Sequence, residues 1–213
     1  MSDAVEQREP RIGLVLLAAG MGRRMAGPNK LLLDLGGMPV VRRAALPLCV
    51  ALPHTAPRIV VTGRDPEAVT AALAGLGFTS AHNPCPNDGM GASLAVGVTA
   101  LPPDLDAILV ALGDMPGLCP ETVDTLIAAF SGDSDPAHTI CRPFLDGQPG
   151  HPVLWGADHR PALAALTGDR GGRDLIQAQT ARVRALIVDD PAVIRDIDRP
   201  ADLEAVRNGI AGA

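Results

Sequence analysis

The sequence predicts an α/β fold of three layers, with a mostly parallel sheet between two sets of helices. Two observations carry this. Short apolar runs bounded by glycine, proline or asparagine alternate with longer helical stretches, and strand–helix alternation implies parallel strands covered on both faces. The 213 residues are 47% hydrophobic, enough to bury a full core, yet they include no Tyr, three Phe and one Trp, so aliphatic side chains must fill it.

In chain order, each element follows from local chemistry. Residues 1–11 are mixed in charge and read as a flexible tail, which leaves 12–213 as one domain. The apolar run 12–18 is too short to span a bilayer and reads as a buried strand. Residues 39–52, 66–76, 91–101 and 120–130 have the length, alanine content and N-terminal prolines or glycines of crossover helices. Strands are predicted between them at 58–62, 78–81 and 107–112. Further on, 139–144, a turn at Asp146-Gly147-Gln148-Pro149-Gly150 and then 151–154 suit a hairpin-like excursion serving a second substrate. Residues 185–188 and 193–197 read as closing strands, and 200–208 as a terminal helix stopped by Gly209.

Composition excludes several functions. A net charge of −6 disfavours a nucleic-acid or anionic-membrane surface, because both partners need a dominant positive field. Scarce aromatics remove the stacking platforms that single-strand binders use. Cys49, Cys85, Cys119 and Cys141 are widely spaced and suggest neither a zinc site nor a disulfide framework, so reduced thiols and a cytoplasmic location are expected.

Lys30 is the only lysine, against seventeen arginines. It ends a glycine-rich stretch that follows the first strand. An ammonium is a compact point charge that fits between closely spaced phosphate oxygens, where a planar guanidinium does not, so a polyphosphate site is predicted. Met25 stands where a dinucleotide fingerprint needs its third glycine, and Pro28 stands where a P-loop needs its lysine. With both excluded, the backbone amides at Gly20 and Gly22 point to phosphate oxygens while Arg23 or Arg24 and Lys30 neutralise a triphosphate.

Ligands of such sheets sit beyond the carboxyl ends of the strands. There the run 107–112 ends in Gly113-Asp114-Met115-Pro116, which places Asp114 to hold magnesium. Asn83-Pro84 and the segment from Asn87 to Leu94 close the third strand and open a helix, where Gly89 lets a base lie against backbone and Ser93 reaches a base edge or ribose.

The block Leu17-Ala18-Ala19-Gly20-Met21-Gly22-Arg23-Arg24-Met25, with Lys30 beyond it, resembles the signature of the nucleotidyltransferase superfamily, whose fold is Rossmann-like. By that resemblance Leu17, Ala18, Ala19, Gly20, Gly22, Arg24, Asn83, Gly89 and Ser93 bind nucleotide, and Lys30 and Arg23 act in catalysis. Asp196-Ile197-Asp198-Arg199-Pro200-Ala201-Asp202-Leu203 is similar to the family's D-x-D-T-P-x-D-L segment, which assigns Asp198 as the second magnesium ligand, with Asp196 the alternative. Arg199 departs from the usual threonine.

Gly113-Asp114-Met115-Pro116, Gly150-His151-Pro152-Val153-Leu154 and Gly168-Asp169-Arg170-Gly171-Gly172-Arg173 narrow the resemblance to the molybdenum cofactor nucleotidyltransferase family, and within it to the cytidylyltransferase group. The resemblance implies Mg2+ as cofactor, CTP and molybdopterin or molybdenum cofactor as substrates, and transient contact with a molybdoenzyme. It also implies that His151, Arg170 and Arg173 face the acceptor, although either arginine could pair instead with Asp169 or Asp174. Guanylyl-transferring relatives usually carry glycine where this chain has Ala19, and the extra methyl favours CTP over GTP. Cytidylyl or guanylyl transfer to another phosphate acceptor, an isoprenoid precursor or sugar phosphate, and a non-catalytic carrier of nucleotide or pterin for a molybdoenzyme are the competing functions.

Overall fold

The computed structural model describes residues 8–20 and 29–211. Gly22, Arg23 and Arg24 of the first loop therefore lie outside the described residues. The strand Ile12–Ala18 (β1) sits mid-sheet, and a one-turn 3-10 helix, Lys30–Leu32, follows the loop. Next come Val40–Ala51 (α1), Arg58–Thr62 (β2), Pro66–Ala72 (α2), Phe78–His82 (β3), Met90–Ala100 (α3) and Ala107–Leu112 (β4). The second half holds Pro120–Ser131 (α4), Ile140–Leu145 (β5), Gln148–Pro149 (β6), Val153–Gly156 (β7), Arg160–Ala164 (α5), Arg173–Ala178 (α6), Val183–Ile187 (β8) and Pro200–Ala211 (α7).

The sheet runs β3-β2-β1-β4-β7-β5-β6, with β8 paired to β5. β1 is parallel to both β2 and β4, whereas β7 is antiparallel to β4 and to β5. Two reversals restore direction, so β5 runs the same way as β4 and its far end opens on the same edge. Side-chain alternation builds the layers. Leu14, Leu16, Leu109 and Leu154 face α1 and α4, while Val15, Ile108, Val110 and Trp155 face α3 and α5. Burial on both sides explains why the strands read as continuous apolar runs. No helix among the described residues is long and apolar enough to cross a membrane.

Two predicted elements differ. The expected strand 193–197 is instead a 3-10 turn, Pro191–Ile194, because the Asp190 carboxylate caps it by accepting from the Ala192 amide at 3.0 Å, and β8 already occupies the free side of β5. The last helix continues through Gly209 to Ala211, since glycine lowers helix propensity by about 1 kcal/mol without removing the N–H that the helix needs. Asp190, only 4% exposed, also accepts from the Cys119 amide at 2.9 Å and the Thr122 hydroxyl at 2.7 Å, tying this turn to the start of α4. Asp190→Ala strands three donors and is expected to lower stability by about 2–4 kcal/mol, read from the urea midpoint.

Candidate active site

A cleft of about 420 Å3 opens at the carboxyl ends of β1 and β4, between the β1 loop, the start of α3 and the segment before α7. Of the sequence-predicted residues, Leu17, Ala18, Ala19, Gly20, Lys30, Gly89, Ser93, Asp114 and Asp198 line it. Asn83, His151, Arg170 and Arg173 do not.

Lys30 is 8% exposed. The short helix it begins is capped by Asn29, whose side chain accepts from the Leu31 amide at 3.1 Å and donates to the Arg64 carbonyl at 3.3 Å. The Lys30 Nζ donates to Asp114 Oδ2 at 2.7 Å and to Asp198 Oδ1 at 2.9 Å. Burial pulls its pKa down, but the two carboxylates outweigh burial and leave it above the ordinary lysine value, so the ammonium stays charged.

The two carboxylates come from loops 84 residues apart that the backbone stitches together. The Ile197 amide donates to the Asp114 carbonyl at 2.9 Å. Asp202, in the first turn of α7, accepts from the Asp198 amide at 3.0 Å and the Arg199 amide at 2.7 Å, which orients the Asp198 side chain. Because Asp202 takes the Arg199 amide, the cap is made without the family's threonine.

Ligand atoms of Asp114, Asp196 and Asp198 all lie within 4.8 Å of one another. Burial and then repulsion from Asp198 and Asp114 push the Asp196 carboxyl above its usual range. Three hard oxygen donors with negative charge that Lys30 only partly offsets suit a divalent cation such as magnesium or manganese.

Asn83 departs from its predicted contact with nucleotide. It is 3% exposed, its amide donates to Ser93 Oγ at 3.0 Å, and its Oδ1 accepts from the Cys85 amide at 2.9 Å. These bonds turn Asn83 to holding the β3–α3 loop, and Ser93, to which it donates, lines the cleft while Asn83 does not. The His151 ring is held neutral, its pKa lowered to about 4 by burial and then by Arg142 and Arg173, and its buried Nδ1 has no hydrogen-bond partner. Any contact it makes with an anion is therefore a hydrogen bond and not a charge. Arg170 pairs with Asp174 at 3.0 Å on the surface.

Sequence reasoning missed two residues. Asp169 lines the cleft, carried there by a loop that packs on the start of α3. The Gly91 amide donates to the Gly168 carbonyl at 2.7 Å, and Gly89 has a φ of +96°. A Cβ at Gly89 would lie 2.3 Å from the Gly168 carbonyl carbon, and one at Gly91 2.5 Å from the Thr167 oxygen, so both positions exclude a side chain. Arg142 sits on β5, at the edge shared with β4, and its Nε donates to the Gly150 carbonyl at 3.0 Å. Burial and then the nearby charge of Arg173 lower its pKa. Neither arginine has a carboxylate partner among the described residues. The motif containing Asp169 was visible in the sequence, but nothing local marked Arg142, whose position depends on strand order.

Comparison with known proteins adds to this geometry. The family described as MobA-like NTP transferase domain matches residues 14–183. Nicotine blue oxidoreductase of Paenarthrobacter nicotinovorans is 31% identical over 192 residues, covering 89% of this chain and 93% of that protein. A probable molybdenum cofactor guanylyltransferase of Natronomonas pharaonis is 30% identical over 210 residues, covering 92% and 97% respectively. Among solved structures, Rv0371c from Mycobacterium tuberculosis H37Rv matches with a TM-score of 0.79 at 28% identity, over 94% of this chain and 100% of that one. A manganese complex of that protein matches at a TM-score of 0.74 and 26% identity, over 93% and 98%.

Proposed function

The chain belongs to the MobA-like NTP transferase family, and on that premise we propose that it transfers CMP from CTP to the phosphate of molybdopterin or molybdenum cofactor, releasing pyrophosphate. The observation that carries this is the bridge from Lys30 to Asp114 and Asp198, an ammonium and a carboxylate pair at the mouth of the nucleotide cleft. An acceptor phosphate oxygen attacks the α-phosphorus as the bond to the bridging α,β oxygen breaks. That phosphate is already an anion, so no general base is required.

The chain's own residues align the reactants and offset charge. The carboxylates would hold a divalent cation, which supplies electrostatic stabilisation of the α-phosphate and the leaving pyrophosphate. Lys30 meets the triphosphate, and Arg23 adds charge from the first loop. Ser93 and the backbone around Gly89 take the nucleoside. The cation is assigned as magnesium, and the reaction is placed in the cytoplasm.

Nucleotide choice rests on Ala19, which lines the cleft at the position where guanylyl-transferring relatives usually carry glycine, the extra methyl favouring a pyrimidine. CTP is expected to turn over faster than GTP in side-by-side pyrophosphate release, and Ala19→Gly to shift the ratio towards GTP by about tenfold. A wild-type preference for GTP would overturn the cytidylyl assignment and leave nucleotidyl transfer standing.

On the acceptor side, support comes from Arg142 on β5 and Arg173 at the start of α6, neither of which has a carboxylate partner among the described residues. Arg142→Ala and Arg173→Ala are each expected to raise the KM for the pterin acceptor about tenfold, with the KM for CTP unchanged. Equal KM values for the acceptor in wild type and variants would remove both residues from it. Arg170 keeps the same assignment only as a surface neighbour of this pair.

The name of the Paenarthrobacter relative raises a redox reading. The carboxylate cluster and Lys30 favour phosphoryl chemistry, and a lack of change in nicotinamide absorbance during turnover would separate the two.

A further inference from the structure

Lys30 does more than wait for phosphate. Its Nζ bonds oxygens on Asp114 and Asp198, two of the three carboxylates whose ligand atoms lie within 4.8 Å, at 2.7 and 2.9 Å. The side chain is 9% exposed and its backbone is pinned by the Asn29 cap, so the ammonium has little room to retreat into water. A divalent cation sharing these oxygens would sit beside a charge of the same sign in a partly buried pocket, where repulsion is weakly screened. A triphosphate would offer the ammonium other oxygens, and its bonds to Asp114 and Asp198 could then give way.

Resting on the reading of this cleft as a nucleotide site, we propose that Lys30 is an internal counter-ion for the carboxylate cluster, which opposes a lone divalent cation and yields to one that arrives with the nucleotide's phosphates. The cation and the nucleotide then bind with positive coupling, and the coupling is reciprocal. Loss of Lys30 removes the competitor. The variant's carboxylates should accept the cation without any nucleotide, even though the variant turns over poorly.

The test is a titration with manganese ions followed by electron paramagnetic resonance, in which the free aquo ion gives the signal. It is run on the full chain with and without α,β-methylene-CTP, and in parallel with the GTP analogue. Wild type is expected to bind manganese at least about tenfold more tightly with analogue than without. Lys30→Met is expected to bind manganese alone at least about tenfold more tightly than wild type, with the effect of analogue reduced to about threefold or less. Lys30→Arg, which retains the charge, should keep the low affinity for manganese alone, a result that a purely structural role would not predict. Circular dichroism checks folding, and Lys30→Gln replaces Lys30→Met if the latter unfolds. A folded neutral variant that binds manganese alone no more tightly than wild type overturns the proposal. The titration needs no turnover, so coupling without CMP or GMP transfer would refute the proposed reaction alone, and turnover without coupling would refute the counter-ion alone.

Discussion

Replacing Lys30 with arginine is expected to lower kcat/KM about a hundredfold, equivalent to about 3 kcal/mol of lost transition-state stabilisation, while the thermal midpoint stays close to wild type. The position is shaped for a point charge. Nζ sits between Asp114 Oδ2 and Asp198 Oδ1 at 2.7 and 2.9 Å, and the chain supplies that atom from the first turn of a capped 3-10 helix. A guanidinium keeps the sign of the charge and can still pair with the carboxylates, but it spreads that charge over a plane and would meet phosphate oxygens with a different geometry. The cleft beside it has space for the larger head, so folding should survive. Pyrophosphate release with CTP, a divalent cation and molybdopterin measures the loss. Wild-type turnover in the arginine variant would contradict the role of the ammonium.

Asp114→Asn should have a larger effect, about a thousandfold in kcat, because the near-isosteric amide loses the charge that holds both the cation and Lys30. Asp198→Asn is expected to follow it closely. Asp196→Asn should lose about tenfold or less, since Asp196 neither bonds Lys30 nor lines the cleft and contributes mainly through its field. The three variants, compared over a range of magnesium concentrations, decide which two carboxylates hold the cation. A greater loss in Asp196→Asn than in Asp198→Asn would exchange their roles.

Much of the framework was legible because its signals are local. The strands Ile12–Ala18, Arg58–Thr62 and Ala107–Leu112 match their predicted bounds, since burial on both faces makes each a largely apolar run, with Arg58 and Thr62 at the ends of the second. Lys30 stood out against seventeen arginines and Asp114 at the end of an apolar run, whereas Asp198 followed from the resemblance of 196–203 to the family's D-x-D-T-P-x-D-L segment. What was hidden depends on contacts distant in sequence. The β-branched residues of 193–197 suit a strand, yet a buried carboxylate bonded to residues about 70 positions away folds its start as a turn. Asn83 was placed at the right loop, but its burial and both hydrogen bonds belong to the scaffold. Arg142 takes its place in the sheet only because β7 lies between β4 and β5, an order that no single segment encodes.

The close seating of Gly89 and Gly91 on Thr167 and Gly168 bears on how such a protein changes its chemistry. In the proposed reaction one wall of this junction would frame the nucleoside and the other would lead towards the acceptor, and the 2.7 Å hydrogen bond from the Gly91 amide to the Gly168 carbonyl joins them. A lineage drifting towards a new acceptor through residues 167–173 would carry its preference among nucleotides with it. Paired shifts in both substrates, arising from substitutions in one loop, are the expected mark of divergence on this scaffold.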